Sequence, residues 1–182
     1  MSRSQAEWRG TTVLAVVRDG VVAMGGDGQV SLGDVVVKHG AQKVRTMRDG
    51  AVLAGYAGAA ADALALFERL EARLDEYSGN LPRAAVELVK QWRTDRVLRH
   101  LDALLLVADR ENVLLVSGRG ELIRPDDDVL GIGSGGAYAE AAARALLAHT
   151  QMGAEEICRA AMEIAARLCI YTNDRIVVHT LE

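Results

Sequence analysis

Gly10-Thr11-Thr12 stands at the head of the apolar run Val13–Val17. A threonine hydroxyl is a weak nucleophile unless a base stands beside it. If the chain were cut before Thr11, that one residue would own both the hydroxyl and the base, because a free α-amine titrates near ~8 and can take a proton at neutral pH. Gly10 leaves the carbonyl before the cut open to approach. A Thr-Thr pair is also an ordinary strand start, so spacing alone leaves both readings open.

Other stretches combine glycine with polar groups. They are Gly25-Gly26-Asp27-Gly28-Gln29, Gly55-Tyr56-Ala57-Gly58 and Gly131-Ile132-Gly133-Ser134-Gly135-Gly136, with Lys43 on a further predicted strand beside Val44. Each has a plain structural reading. Asp27 between glycines suits a turn, Lys43 suits a solvated strand face, and Gly55 and Gly58 permit close helix–strand packing. The last stretch also matches Gly-x-Gly-x-x-Gly, the dinucleotide fingerprint, which needs an acidic residue about 20 positions on, at the end of the next strand. Glu155 has that spacing but starts a predicted helix, which excludes a dinucleotide site.

Other chemistries lack support. His39, His100, His149 and His179 have no metal spacing, and no Gly-x-Ser-x-Gly elbow or Cys–His motif is present. Cys158 and Cys169 form neither a disulfide framework nor a metal set. Cys169 in Leu168-Cys169-Ile170-Tyr171-Thr172 reads as a small buried hydrophobe. Lys90, Arg93, Arg96 and Arg99 lie near one helical face. In an acidic, aromatic-poor chain this stripe reads as a solvated or partner-facing helix rather than a nucleic-acid surface.

The elements that must position these residues follow from period and punctuation. Thr11–Gly25 reads as a hairpin turned by Asp19-Gly20. Val35–Val37, Val44–Met47 and Ala51–Ala54 are strands, the last two joined through Asp49-Gly50. Ala63, Phe67, Leu70 and Leu74 share one helical face within Ala59–Glu76. Pro82 opens a second helix that runs to about Leu98. Ala103–Ala108, Val113–Val116, Glu121–Ile123 and Val129–Ile132 are strands, Ala137–Leu147 and Ala154–Leu168 helices, and Ile176–Thr180 closes the chain as a strand. Blocks of strands joined by tight turns, alternating with helix pairs, give an α+β fold of two antiparallel sheets between two helix pairs, a four-layer αββα sandwich.

The chain has 182 residues, half of them apolar and a quarter charged, with net charge −4. That composition suits a single globular domain and excludes a disordered one. The longest apolar run, Ala103–Ala108, is too short to cross a bilayer. Residues 1–10 are polar and lack the apolar segment of a secretory signal. A cytoplasmic protein is expected, without a membrane or nucleic-acid partner.

RGTTVLAV, GGDGQVSLG, the Lys43 segment, LAGYAGAAADA, GIGSGG and CIYTND extend over essentially the whole chain after Gly10. In this combination the chain closely resembles the HslV family. Its members are proteolytic subunits of bacterial two-component ATP-dependent proteases and relatives of proteasome β-subunits. The resemblance implies the four-layer fold of N-terminal-nucleophile hydrolases and a threonine-type endopeptidase made as a precursor. Residues 1–10 would be a propeptide and residues 11–182 the peptidase domain. Thr11 would become the nucleophile, and Lys43 the ammonium that lowers the α-amine pKa. Asp27 would orient Lys43, Ser134 would join the hydrogen-bond network near the amine, and the Gly55 N–H would serve the oxyanion. An ammonium nearby disfavours a second cation, so the amine is more often neutral and can act as base.

The resemblance further implies a homo-oligomer of two stacked hexameric rings and a separate hexameric HslU-type AAA+ ATPase that unfolds and feeds protein substrates. This chain has no Walker motif, so ATP falls to the partner. Backbone carbonyls of Ala166, Cys169 and Thr172 would hold a sodium ion, with Ala166 standing where many relatives have Gly. Two other readings stay open: an N-terminal-nucleophile amidohydrolase acting on a small amide, and a silent ring subunit. An amidase needs no ATPase, and a silent subunit is expected to lack Thr11 or Lys43, both of which are present.

Overall fold

Asp19 and Gly20 both take positive φ, 52° and 80°, and turn the first apolar run back on itself. The computed structural model describes residues 8–58, 60–95, 103–117 and 120–182. A two-residue strand β1 (Trp8–Arg9) precedes the hairpin of β2 (Thr12–Arg18) and β3 (Val21–Gly26). β4 (Val30–Leu32) and β5 (Val35–Lys38) follow, then β6 (Val44–Met47) and β7 (Val52–Gly58). Helices α1 (Ala60–Glu76) and α2 (Leu81–Thr94) come next, then β8 (Ala103–Ala108), β9 (Val113–Ser117), β10 (Leu122–Ile123) and β11 (Val129–Gly133). α3 (Gly136–His149), α4 (Ala154–Leu168) and β12 (Val177–Leu181) complete the chain.

The strands form a sheet ordered β11-β2-β3-β12, a sheet ordered β10-β9-β8-β7-β6, and a small sheet β1-β4-β5. Every pairing is antiparallel. Alternation along β2 separates two cores. Val13 and Ala15 face the other large sheet, where they meet Met24, Leu53 and Leu106. Leu14 and Val16 face α3 and α4, against Ala139, Ala143, Ile157 and Met162. On the far side Ala63, Phe67, Leu70 and Leu74 of α1 pack with Leu88 and Trp92 of α2 against Leu105 and Val107. The order of layers is therefore helix pair, sheet, sheet, helix pair. Small side chains keep these layers close, which is how a chain with so few aromatics fills its core.

Four details differ from the sequence reading. β4 is an additional strand, too short and too polar to show a period, and it exists because β1 and β5 flank it. β7 continues through Gly55 to Gly58 instead of ending at Ala54. α2 ends at Thr94, where Asp95 is extended, and the residues to Leu98 lie outside those described. Lys43 precedes β6 instead of lying on it, and its side chain is buried. Among the described residues no helix is long and apolar enough to cross a membrane.

Cys158 on α4 illustrates the packing. Its Sγ fills the space a β-carbon at Gly25 would need, 2.7 Å away, and donates to the Leu14 carbonyl at 3.7 Å. Burial pushes its thiol up to about 12. In the native protein at pH 8, Cys158 is therefore expected to resist a soluble thiol reagent and to react only after unfolding. Labelling followed by peptide mass spectrometry checks this, and rapid native labelling of Cys158 would contradict the packing.

Candidate active site

Thr11 lies one residue ahead of β2, almost fully buried. Two loops hold its backbone. Ser134, leading into α3, donates to the Thr11 carbonyl from its N–H at 2.9 Å and from its Oγ at 3.3 Å. Gly133 has a φ of +85°, and a β-carbon there would run into the same carbonyl, so only glycine lets β11 approach this closely. The next residue is held as firmly. Thr12 Oγ1 accepts from Gly135 N–H at 2.9 Å and shares a 2.7 Å hydrogen bond with Thr172 Oγ1.

Asp27 follows β3 and is 1% exposed, and Lys43 precedes β6 and is 2% exposed. Lys43 Nζ donates to Asp27 Oδ1 at 2.6 Å and to the Gln29 carbonyl at 2.6 Å. An ammonium has three donors, so one N–H remains beyond these two acceptors. Burial pulls the Lys43 amine below its ordinary range, and the Asp27 carboxylate and hydrogen bond oppose that pull. Asp27 is itself well supplied with donors. Oδ1 also accepts from Thr12 N–H at 2.9 Å, and Oδ2 accepts from Gln29 N–H at 2.9 Å and Asn173 N–H at 3.2 Å. The Thr12 contact ties the ion pair directly to the strand that carries Thr11.

The Thr11 hydroxyl lies against the peptide bond that precedes it. Thr11 Oγ1 donates to the Gly10 carbonyl at 2.7 Å. Gly10 has a φ of +119°, and a β-carbon there would stand 2.8 Å from the Gln29 carbonyl. Residues 8–9 pair with β4, Arg9 opposite Ser31. The chain leading to the bond thus lies as an added antiparallel strand. Beside it opens a cleft of about 590 Å³, whose walls include Val30, Val37, Tyr56 and Leu64, with Arg45 among them.

The structure brings Thr11, Asp27, Lys43 and Ser134 together and places Gly55 elsewhere. Gly55 sits inside β7, and a β-carbon there would lie 2.6 Å from Val13 Cγ1 and 3.2 Å from Met24 Sδ. Tyr56 N–H donates to the Lys43 carbonyl. By alternation the Gly55 N–H turns the other way, toward Leu106 of β8. Glycine there serves the packing of the two large sheets, which corrects the oxyanion expectation. Gly58, with φ +119°, ends β7. Its N–H turns to the same side as that of Tyr56, beyond the last β6 pair, Val44 with Gly55. Ala57 beside it lies close to Gly133 and the Thr11 carbonyl. Gly58, ending a strand just before a helix, is therefore the better-placed donor. The sequence reading also passed over Gln29 and Asn173; the only signal for them was a polar cluster just past a strand and a helix.

Ala166, Cys169 and Thr172 fall at the end of α4 and in the turn after it. Cys169 N–H caps the Ala165 carbonyl at 2.8 Å, and the Cys169 carbonyl accepts from Thr172 N–H at 3.1 Å. The last carbonyls of a helix lack intrahelical partners and carry partial negative charge. Among the described residues no cluster of His, Cys, Asp and Glu side chains could hold a metal.

Removing the charge of Asp27 should be costly. Asp27→Asn leaves Lys43 buried without its counter-charge, and loss of one partner of a buried pair typically costs about 3–5 kcal/mol. The folded variant then binds fewer protons at Lys43 than the unfolded chain, so its stability should rise as pH rises. Denaturant midpoints of parent and variant across pH check both the loss and the sign.

Comparison with known proteins agrees with this geometry. The family described as Proteasome subunit matches residues 8–181. The ATP-dependent protease subunit HslV of Pseudothermotoga lettingae is 59% identical over 96% of this chain and 99% of its own. That of Aquifex aeolicus is 56% identical over the same shares. The crystal structure of eukaryotic HslV from Trypanosoma brucei is 45% identical, with a TM-score of 0.89 over 94% of this chain and 99% of that one. Thiobacillus denitrificans BPH, at 19% identity and a TM-score of 0.71 over 94% and 97%, shares the fold. The four-layer sandwich and a threonine poised at the head of its central hairpin thus have one explanation: the chain belongs to the proteasome subunit family, as an HslV-type proteolytic subunit.

Proposed function

We propose that the chain matures by cutting itself before Thr11 and then works as an N-terminal threonine endopeptidase. The observation that carries this is the Thr11 hydroxyl 2.7 Å from the Gly10 carbonyl, at a site built on the buried Lys43–Asp27 pair. In maturation, Thr11 Oγ1 bonds to the Gly10 carbonyl carbon while the Gly10–Thr11 C–N bond breaks. The hydroxyl proton goes to the departing amine. Water then hydrolyses the ester, releasing residues 1–10 and restoring the hydroxyl. Residues 11–182 remain as the peptidase domain.

In turnover the freed α-amine takes the Thr11 hydroxyl proton as Oγ1 attacks a substrate carbonyl and returns a proton to the leaving amine, after which water hydrolyses the acyl-enzyme and restores the hydroxyl. The Lys43 ammonium favours the neutral amine and steadies developing negative charge. Asp27 keeps Lys43 charged and oriented, and Ser134 fixes the Thr11 backbone. The Gly58 N–H receives the oxyanion, and such a donor is worth about 2.7–4 kcal/mol in the transition state. Substrate lies as an extended strand on β4, where residues 8–9 lie before cleavage, with an apolar side chain in the cleft walled by Val30, Tyr56 and Leu64.

The HslV relatives are ATP-dependent protease subunits by name. This chain has no nucleotide-binding loop of its own, so we place it in a cytoplasmic complex of two hexameric rings fed by a hexameric HslU-type ATPase. A sodium ion fits the carbonyls of Ala166, Cys169 and Thr172, because hard cations take oxygen ligands and a helix C-terminus offers them. When bound, it would supply positive charge that holds the turn after α4.

Intact mass of the purified chain beside a Thr11→Ala variant tests the central step. The parent is expected to lack residues 1–10 and the variant to retain them; retention by both would remove the proposed base. The purified chain alone is expected to cut small peptides slowly and folded proteins hardly at all, with rates rising when an HslU-type ATPase and ATP are added. Full-rate degradation of a folded protein without ATPase would overturn the partner dependence.

A further inference from the structure

Asn173, in the turn between α4 and β12, is hydrogen-bonded to two distant loops and to its own turn. Its Oδ1 accepts from Gly28 N–H at 3.0 Å and from Arg175 N–H at 3.2 Å. Its Nδ2 donates to the His39 carbonyl at 3.0 Å. Its own N–H, as described, donates to Asp27 Oδ2. Neighbours in the same turn reinforce the arrangement: the Ile170 carbonyl accepts from Gln29 Nε2 at 2.8 Å, and Thr172 Oγ1 meets Thr12. The turn therefore touches the Asp27 loop, the loop before Lys43 and the strand that bears Thr11.

We propose that Asn173 is a positioning residue for catalysis, its side chain clamping the 27–29 and 39–41 loops so that Asp27 holds the Lys43 ammonium at the nucleophile. The inference rests on the threonine-peptidase reading above. The side chain does not touch the reacting atoms. It acts because Asp27 accepts from both sides, from Gln29 N–H within its own loop and from Asn173 N–H across it. With the Gly28 and His39 anchors gone, nothing in the Asn173 side chain keeps that second donor in line. The loop carrying Gln29, whose carbonyl is the other acceptor of Lys43, loses a brace at the same time. Small displacements of a catalytic group cost rate and leave binding nearly alone.

The test uses the full chain as Asn173→Ala and Asn173→Asp. Asp keeps the acceptor for Gly28 and Arg175, while it puts a charged oxygen in place of the donor to the His39 carbonyl. Two readouts are followed by intact mass: self-removal of residues 1–10, and covalent capture by a peptide epoxyketone, which reacts with a threonine hydroxyl and its free amine. For Asn173→Ala, self-cleavage and the maximal capture rate should each fall about tenfold while the half-saturating probe concentration stays within about twofold. Asn173→Asp should recover part of the loss. Parental rates in Asn173→Ala would overturn the proposal. So would a loss that follows the unfolded fraction in a thermal scan and is no smaller in Asn173→Asp, or one reversed by added sodium, which would assign the effect to the cation-binding turn. If the parent itself neither sheds residues 1–10 nor takes the probe, the peptidase reading fails first and this inference with it.

Discussion

A lysine and an aspartate whose side chains are shut off from water anchor the candidate active site. Burying two charges is unfavourable unless each finds its counterpart and enough further hydrogen bonds. Lys43 and Asp27 meet that condition with Gln29 of the same loop and with two groups from distant parts of the chain, Thr12 and Asn173. The requirement to satisfy the pair therefore fixes where β2 begins, how the chain leaves β3 and where the turn after α4 must lie. Displacing any of these leaves a buried polar group without a partner, which costs more than the same loss at a surface.

The layered sheets answer a second constraint. The two large sheets pack face to face through Val13, Met24 and Leu106, and Gly55 removes the side chain that would hold them apart. This seats Val13, near the start of β2, directly over Gly55 of β7. A site assembled from strand ends on a packed sandwich is more rigid than one carried on a free loop. Here the loops that contribute are themselves pinned by side chains.

Much of this was legible in the residues. The hairpin at Asp19-Gly20, the α1 face through Leu74 and the order of strand blocks and helix pairs follow from period and turn chemistry. The site was readable only as a pattern: Thr11, Asp27 and Lys43 gained meaning together, through resemblance, because each alone suits an ordinary strand or turn. What escaped is what depends on tertiary partners. β4 has no period of its own and is a strand only between β1 and β5. Gly55 and Gly58 are three residues apart in one glycine-rich stretch, and strand alternation alone turns the first amide toward β8 and the second to the β6 side. Asn173 looks like any polar residue in a turn until its partners at positions 27, 28 and 39 are seen.

The long reach of those contacts bears on when the molecule can become active. A ribosome releases a chain from its N-terminus, so Gly10 and Thr11 emerge well before the turn at Ile170–Asn173. Gln29, Asp27 and Thr12 all draw partners from that turn. Until it has folded back across the hairpin, the charged pair lacks part of its support and the bond before Thr11 has no completed site around it. Placing those partners so much later in the chain would hold back the proposed self-cleavage until the turn has formed. On the proposed maturation, self-cleavage would report that this turn has closed on the hairpin, and a chain cut short before Ile170 would keep its Gly10–Thr11 bond.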